Sequence, residues 1–201
     1  MGVLLSALSI FSLQADCDGG HCEKEPIAKQ LIAKSKLKDY GYFYRTSIAT
    51  LQECDPVVWE RWIESEDVFL SSNNSDIVLK DKGTYFVSYI VNADLLQETN
   101  GAIRFGLATK NCHWDWRTVP GSTYGENFSY YDTNEHICGQ ALVHIEHDST
   151  HLRLVNYSCE EVHLLSPERC ESGCLDDNTV SASIILIKLD KVREEEHCGC
   201  D

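Results

Sequence analysis

From Tyr40 to Leu189 the chain alternates apolar and polar positions in short runs separated by turn residues, the pattern of a β-sandwich or barrel. The runs predicted as strands are GYFYRTSIATL (41–51), VVWERW (57–62), DVFLSS (67–72), DIVLK (76–80), GTYFVSYIVNA (83–93), AIRFGLATK (102–110), ENFSYY (126–131), QALVHIEH (140–147), HLRLVNYS (151–158), EVHLL (161–165) and VSASIILIKL (180–189). Asn100-Gly101 and Pro120-Gly121 mark turns. His147-Asp148-Ser149-Thr150 is expected to close a hairpin in which Val143 and Ile145 meet Leu152 and Leu154 across a core face.

Two of these runs depart from simple alternation. In 83–93, Tyr85, Val87, Tyr89 and Val91 make one face while Phe86 and Ile90 interrupt the other. In 180–189, Ala182, Ile184 and Leu186 lie on one side and Ile185, Ile187 and Leu189 on the other. A sheet in a two-layer sandwich has only one face against its partner, so the second face of such a strand requires cover from another chain or from an appendage.

The 201 residues suffice for one well-buried domain. Against 17 Lys and Arg stand 32 Asp and Glu, a formal charge of −15, so the net field repels phosphate backbones and anionic lipid and argues against nucleic acid as a partner. The apolar run VLLSALSIFSL (3–13) ends before a small residue, Ala15, as a secretory leader does, although no Lys or Arg precedes it. It is too short to span a bilayer, and no other stretch approaches that length, so membrane insertion is not expected.

The ten cysteines, Cys17, Cys22, Cys54, Cys112, Cys138, Cys159, Cys170, Cys174, Cys198 and Cys200, fit a disulfide-bonded protein of an oxidising compartment. Ten allow about 945 pairings, and the connectivity is not readable. Sequons at Asn73, Asn127 and Asn156 are glycosylation candidates suited to the same compartment. The chain therefore divides into a leader (1–15), a Cys-containing linker with a short helix carrying Ile27, Leu31 and Ile32 (16–39), a β domain (40–190) and an acidic Cys-rich tail (191–201).

The segments LKDKGTYFVSYIVNA (79–93), VPGSTYG (119–125), GQALVHIEHDSTHLRLVN (139–156) and NTVSASIILIKL (178–189), in this order, resemble the jelly-roll domain shared by complement component 1q and tumour necrosis factor. The similarity covers roughly three quarters of the chain and is strongest to the C-terminal domain of the bacterial exosporium collagen-like glycoprotein. The resemblance implies an all-β, ten-stranded jelly roll assembled as a homotrimer, with the last strand central in the inner sheet and GTYFVSYIVNA in the outer one. Ile185, Ile187, Leu189, Val155 and Tyr157 are then the candidate interface between protomers. The chain departs from the family in lacking a collagen stalk and in its extra cysteines within CEEVHLLSPERCESGC and EEEHCGCD.

Four groups of residues are candidates for chemistry. Trp114 and Trp116 beside Arg117 form either a protein- or carbohydrate-binding patch or a packed loop. His144, His147 and His151 cluster round one expected hairpin and stand as zinc ligands, pH sensors or solvated loop residues. Asp176 and Asp177 offer oxygen ligands to calcium but fall short of a cage. Cys17, His21 and Cys22 with His197, Cys198 and Cys200 form either a soft-metal site or disulfides joining the chain ends.

No nucleophile elbow, phosphate loop or HExxH helix is present, so no catalytic residue and no obligatory cofactor are expected. The reading is a secreted or surface-displayed, spore or cell, non-enzymatic module serving as a coat or binding a ligand. The alternatives are a pattern-recognition lectin, a cytokine-like ligand, or a cupin-type metalloenzyme. The last requires a His and carboxylate set inside the barrel.

Overall fold

The computed structural model describes residues 39–95, 102–127, 135–165 and 180–189. In chain order the strands are β1 (Tyr40–Arg45), β2 (Ala49–Leu51), β3 (Arg61–Glu64), β4 (Val68–Leu70), β5 (Ile77–Leu79), β6 (Gly83–Leu95) and β7 (Ala102–Lys110). They continue with β8 (Arg117–Thr118), β9 (Tyr124–Asn127), β10 (Glu135–Ile145), β11 (Thr150–Asn156), β12 (Val162–Leu164) and β13 (Ala182–Leu189). These are more than the ten expected, because short pairings such as β8 and β2 form strands of their own.

Two antiparallel sheets result. The first runs β2–β12–β6–β13–β1–β3 with β10 also on β6, and the second runs β4–β5–β11–β7–β8 with β9 also on β7. The β-branched and aromatic residues of β6 favour a long pleated strand, and β6 is the axis of its sheet. One of its edges pairs with β10 from Gly83 to Ala93; the other pairs with β13 from Thr84 to Val91 and then with β12 from Ala93 to Leu95. β6 and β13 are thus neighbours in one sheet, which corrects the expectation that β6 belongs to the outer sheet.

The core lies between the sheets. Phe43, Tyr85, Val87, Tyr89, Ile184 and Leu186 from the first meet Ile77, Leu79, Ile103, Phe105, Leu107, Leu152 and Leu154 from the second. Val143 and Ile145 are buried in the same core as Leu152 and Leu154, but they do not pair across a hairpin. β10 pairs with β6, whereas β11 pairs with β5 and β7, so 147–150 carries the chain from one sheet to the other, with Ser149 at φ 57°. Apolar alternation reports which face is buried and is blind to which strand is the neighbour.

VVWERW is likewise not a strand throughout, since only its end enters β3. Val57 and Trp59 are buried, and their amides donate to the carbonyls of Leu154 (2.9 Å) and Asn74 (2.7 Å). The Pro120-Gly121 turn is present. Ser122 N donates to Val119 O at 3.2 Å, and Gly121 has φ 73°, which a side chain would strain.

The chain between β1 and β2 is held by Glu60. Its carboxylate accepts from the amides of Thr46 (2.9 Å) and Ser47 (3.1 Å) and from the Ser47 hydroxyl, and lies 3.3 Å from Arg45 Nη2. Burial opposes ionisation of Glu60, but these hydrogen bonds and the guanidinium outweigh it and bring the pKa down to about 2. A carboxyl depressed on folding stabilises the fold fully above its unfolded pKa and loses that contribution as pH falls through the folded value. The stability difference between the native protein and Glu60→Gln is therefore expected to be constant above about pH 4.5 and to disappear as pH falls toward 2, as followed by denaturant melts across that range. A second expectation concerns Gly139, where an added Cβ would overlap the ring and hydroxyl of buried Tyr89. Gly139→Ala should lower stability by about 1–3 kcal/mol in urea melts.

Candidate functional site

The outward face of the first sheet is built by strand register. Three rows cross it side by side: Leu142, Phe86, Ile187 and Tyr40; Gln140, Ser88, Ile185 and Tyr42; Cys138, Ile90, Ser183 and Tyr44. None of these positions carries Asp or Glu, in a chain with 32 of them. Leu142 is 64% exposed, and the Tyr42 and Tyr44 rings stack at 5.3 Å. Burial, with the neighbouring Tyr44 adding to it, raises the Tyr42 pKa above the ordinary phenol value. The unexplained second faces of β6 and β13 are therefore one continuous surface.

Of the candidate interface residues, Ile185, Ile187 and Leu189 point outward on this face. Val155 and Tyr157 do not share it. Val155 is buried in the second sheet, bridged to Pro56, and Tyr157 packs over Gly106 with its hydroxyl accepting from Thr118 Oγ1 at 2.9 Å. Sequence reasoning passed over the tyrosines of β1, although their spacing of two in YGYFYR was the readable signal.

The outer face of the second sheet carries a strap, 111–119, that holds the other candidates. Asn111 Oδ1 accepts from the amides of His113 (2.8 Å) and Trp114 (3.1 Å) and so turns the chain back after β7. Trp116 lies under the Arg153 guanidinium at 3.8 Å, and Arg153 in turn bonds Asp76. Although burial opposes its ionisation, the hydrogen bonds from Arg153 and Asn73 hold the Asp76 carboxyl below its ordinary pKa. Trp114 is flanked by Arg117 at 5.4 Å and by His147 at 5.0 Å, and His147 meets His113 at 4.6 Å. The structure thus brings Trp114, Trp116 and Arg117 into one strap, with both indoles half-buried against cations rather than free.

The three histidines do not cluster. His144 lies on the outward face of the first sheet near Thr84 Oγ1 (3.2 Å), His147 faces the strap, and His151 lies 3.5 Å from Asp76. Among the described residues Asp39, Asp67 and Asp81 bring one carboxylate oxygen each within 4.8 Å of one another. Lys188 Nζ already lies there, 2.9 Å from Asp39 and 2.8 Å from Asp81. Burial disfavours its charge, but the bonds to Asp81 and Asp39 outweigh that and raise its pKa. The acidic pair at 176–177 and the cysteines and histidines of both chain ends lie outside the described residues. Val143, Ile145, Leu152 and Leu154, which face the interior where a cupin-like set would lie, are buried and apolar.

Cys54, Cys112, Cys138 and Cys159 are exposed free thiols; the other six cysteines lie outside the described residues. Among the sequons, Asn73 is exposed, and its Oδ1 accepts from the amides of Ser75 (3.1 Å) and Asp76 (3.0 Å). Asn127 ends β9, and its side chain lies outside the described residues. Asn156 is corrected as a glycan acceptor. It is fully buried, its Nδ2 donates to the carbonyls of Leu51 (3.2 Å) and Gln52 (3.0 Å), and its Oδ1 accepts from Ser158 N (2.9 Å).

Several solved structures are similar to this chain. The globular domain of zebrafish complement 1qA aligns over 77% of this chain and 99% of its own at 9% identity, with a TM-score of 0.51. Eiger, a tumour necrosis factor from S. frugiperda, aligns over 79% and 96% at 12% identity, with a TM-score of 0.55. Murine APRIL aligns over 75% and 98% at 10% identity, with a TM-score of 0.51. The fold is the complement 1q and tumour necrosis factor jelly roll. No protein-family model and no curated protein matches the sequence. Among the described residues no helix is long and apolar enough to cross a membrane.

Produced in a glycosylating host, Asn156→Gln is expected to leave the glycan mass unchanged. It should also lower stability by about 1–3 kcal/mol, because it breaks the bonds of a buried amide; intact mass and urea melts check both.

Proposed function

We propose that the chain is a non-enzymatic homotrimer that works as an extracellular or surface-displayed interaction module. The three rows of uncharged positions on the outward face of the first sheet carry this reading. Twelve neighbouring outward positions without a carboxylate, on so acidic a chain, are suited to burial against copies of itself. Threefold closure around Tyr42, Phe86, Ile185 and Ile187 covers it, and leaves the outer sheet with its strap facing away from the axis. A coat of the exosporium type and a ligand-binding module share this assembly. The strap of Trp114, Trp116 and Arg117 favours the second, as a lectin or a cytokine-like ligand for protein or carbohydrate. The leader and disulfides among Cys17, Cys22, Cys170, Cys174, Cys198 and Cys200 belong to the same reading, as does a glycan on Asn73.

The test is solution mass by light scattering. The native protein is expected at three times the 22.7 kDa chain mass, less any leader removed. Ile187→Glu, which sets three carboxylates in a dry interface, is expected to be a folded monomer by circular dichroism. A native protein that is already monomeric contradicts the trimer.

A further inference from the structure

Among the described residues, His136, His144 and His151 each have a ring nitrogen engaged, by Asn92, Thr84 and Asp76 in turn. His113 and His147 differ. Their rings meet each other, and neither ring nitrogen has a hydrogen-bond partner among the described residues. The two come from distant parts of the chain, His113 from the strap after β7 and His147 from the crossover between β10 and β11. Both backbones are pinned: His113 N donates to Asn111 Oδ1 at 2.8 Å, and Thr150 Oγ1 donates to the His147 carbonyl at 2.7 Å. Trp114 lies against the pair, its ring 5.0 Å from that of His147. Imidazoles on fixed backbones with nitrogens unspent are ligands suited to zinc, nickel and copper.

The spacing of the rings fits one shared ion. An imidazole nitrogen binds zinc at about 2.1 Å with the ring centre about 1.2 Å beyond, so two imidazoles at an angle of about 90–109° have centres about 4.7–5.4 Å apart. The centres of His113 and His147 are 4.6 Å apart, with their planes inclined at 55°. A slight turn of the exposed His113 side chain reaches that range. The nearby carboxylates are matched by lysines, Asp148 by Lys82 at 3.9 Å and Asp115 by Lys110 at 3.3 Å. Arg117, 5.4 Å from the Trp114 ring, opposes a cation here, and the field of a chain of −15 favours one.

We propose that His113 and His147 chelate one divalent transition ion of the zinc, nickel and copper class, which clips the strap to the crossover between the sheets. Two imidazoles fill two of its positions and leave the others to water or to an oxygen or nitrogen donor on a partner at the strap. The chelation depends neither on the trimer nor on the ligand reading.

The probe is zinc, added at neutral pH to the full chain with its free thiols blocked by iodoacetamide and its imidazoles labelled with ¹³C. In NMR spectra the His113 and His147 resonances are expected to move together and to saturate together, while His163, on β12, stays in place. By isothermal titration calorimetry, His113→Gln and His147→Gln should each lower the affinity of this site about 100-fold, the gain a second tethered ligand brings. Neither change should alter the melting curve without zinc. Zinc that moves neither ring, or moves one without the other, would overturn the chelate, as would a variant that binds zinc as the native protein does.

Discussion

The pairing of β6 with β13 is the constraint on which the rest of the molecule depends. Its register sets Ile187 beside Phe86 and Ser183 beside Ile90, so that two strands with apolar outward positions merge into one surface. β10 extends that surface on one side with Leu142 and Cys138, and β1 on the other with its three tyrosines. Had β6 lain in the other sheet, its outward residues would have been isolated, each within what a solvated sheet tolerates. Side by side they form a patch that a soluble, highly charged chain rarely leaves open.

The two outer faces of the sandwich consequently differ in chemistry. The first sheet presents Tyr, Ile, Phe and Leu with little charge, and the second presents Arg153, Lys110 and Arg117 interleaved with Trp116 and Trp114. One face has the character of a buried interface core, and the other that of a recognition surface, where aromatic and Arg side chains concentrate binding energy. The core between them is apolar across its width, which separates the two faces.

Much of this was legible in the order of residues, because burial follows alternation. The core faces of β6, β10, β11 and β13 were all readable, as was the apolar second face of β13 at Ile185 and Ile187. Neighbour relations were not. Val143 and Leu152 share a core without sharing a ladder, and a turn of four residues looks the same whether it closes a hairpin or changes sheets. Asn156 carries a sequon, yet its side chain is spent on holding Leu51, Gln52 and Ser158 together, a role that only tertiary contact reveals. The histidines at 144, 147 and 151 are close in sequence but point to three surroundings, since the chain crosses between sheets among them.

The central claim is that the outward face of the first sheet is covered in the native protein, and hydroxyl-radical footprinting tests it most directly. Phe86, Tyr42, Tyr44 and Leu142 should be oxidised far more slowly in the native protein than in a dissociated variant, while Trp114 and Trp116 on the opposite face react equally in both. Oxidation of Phe86 and Leu142 at the same rate in both would show the face open to water and contradict the account.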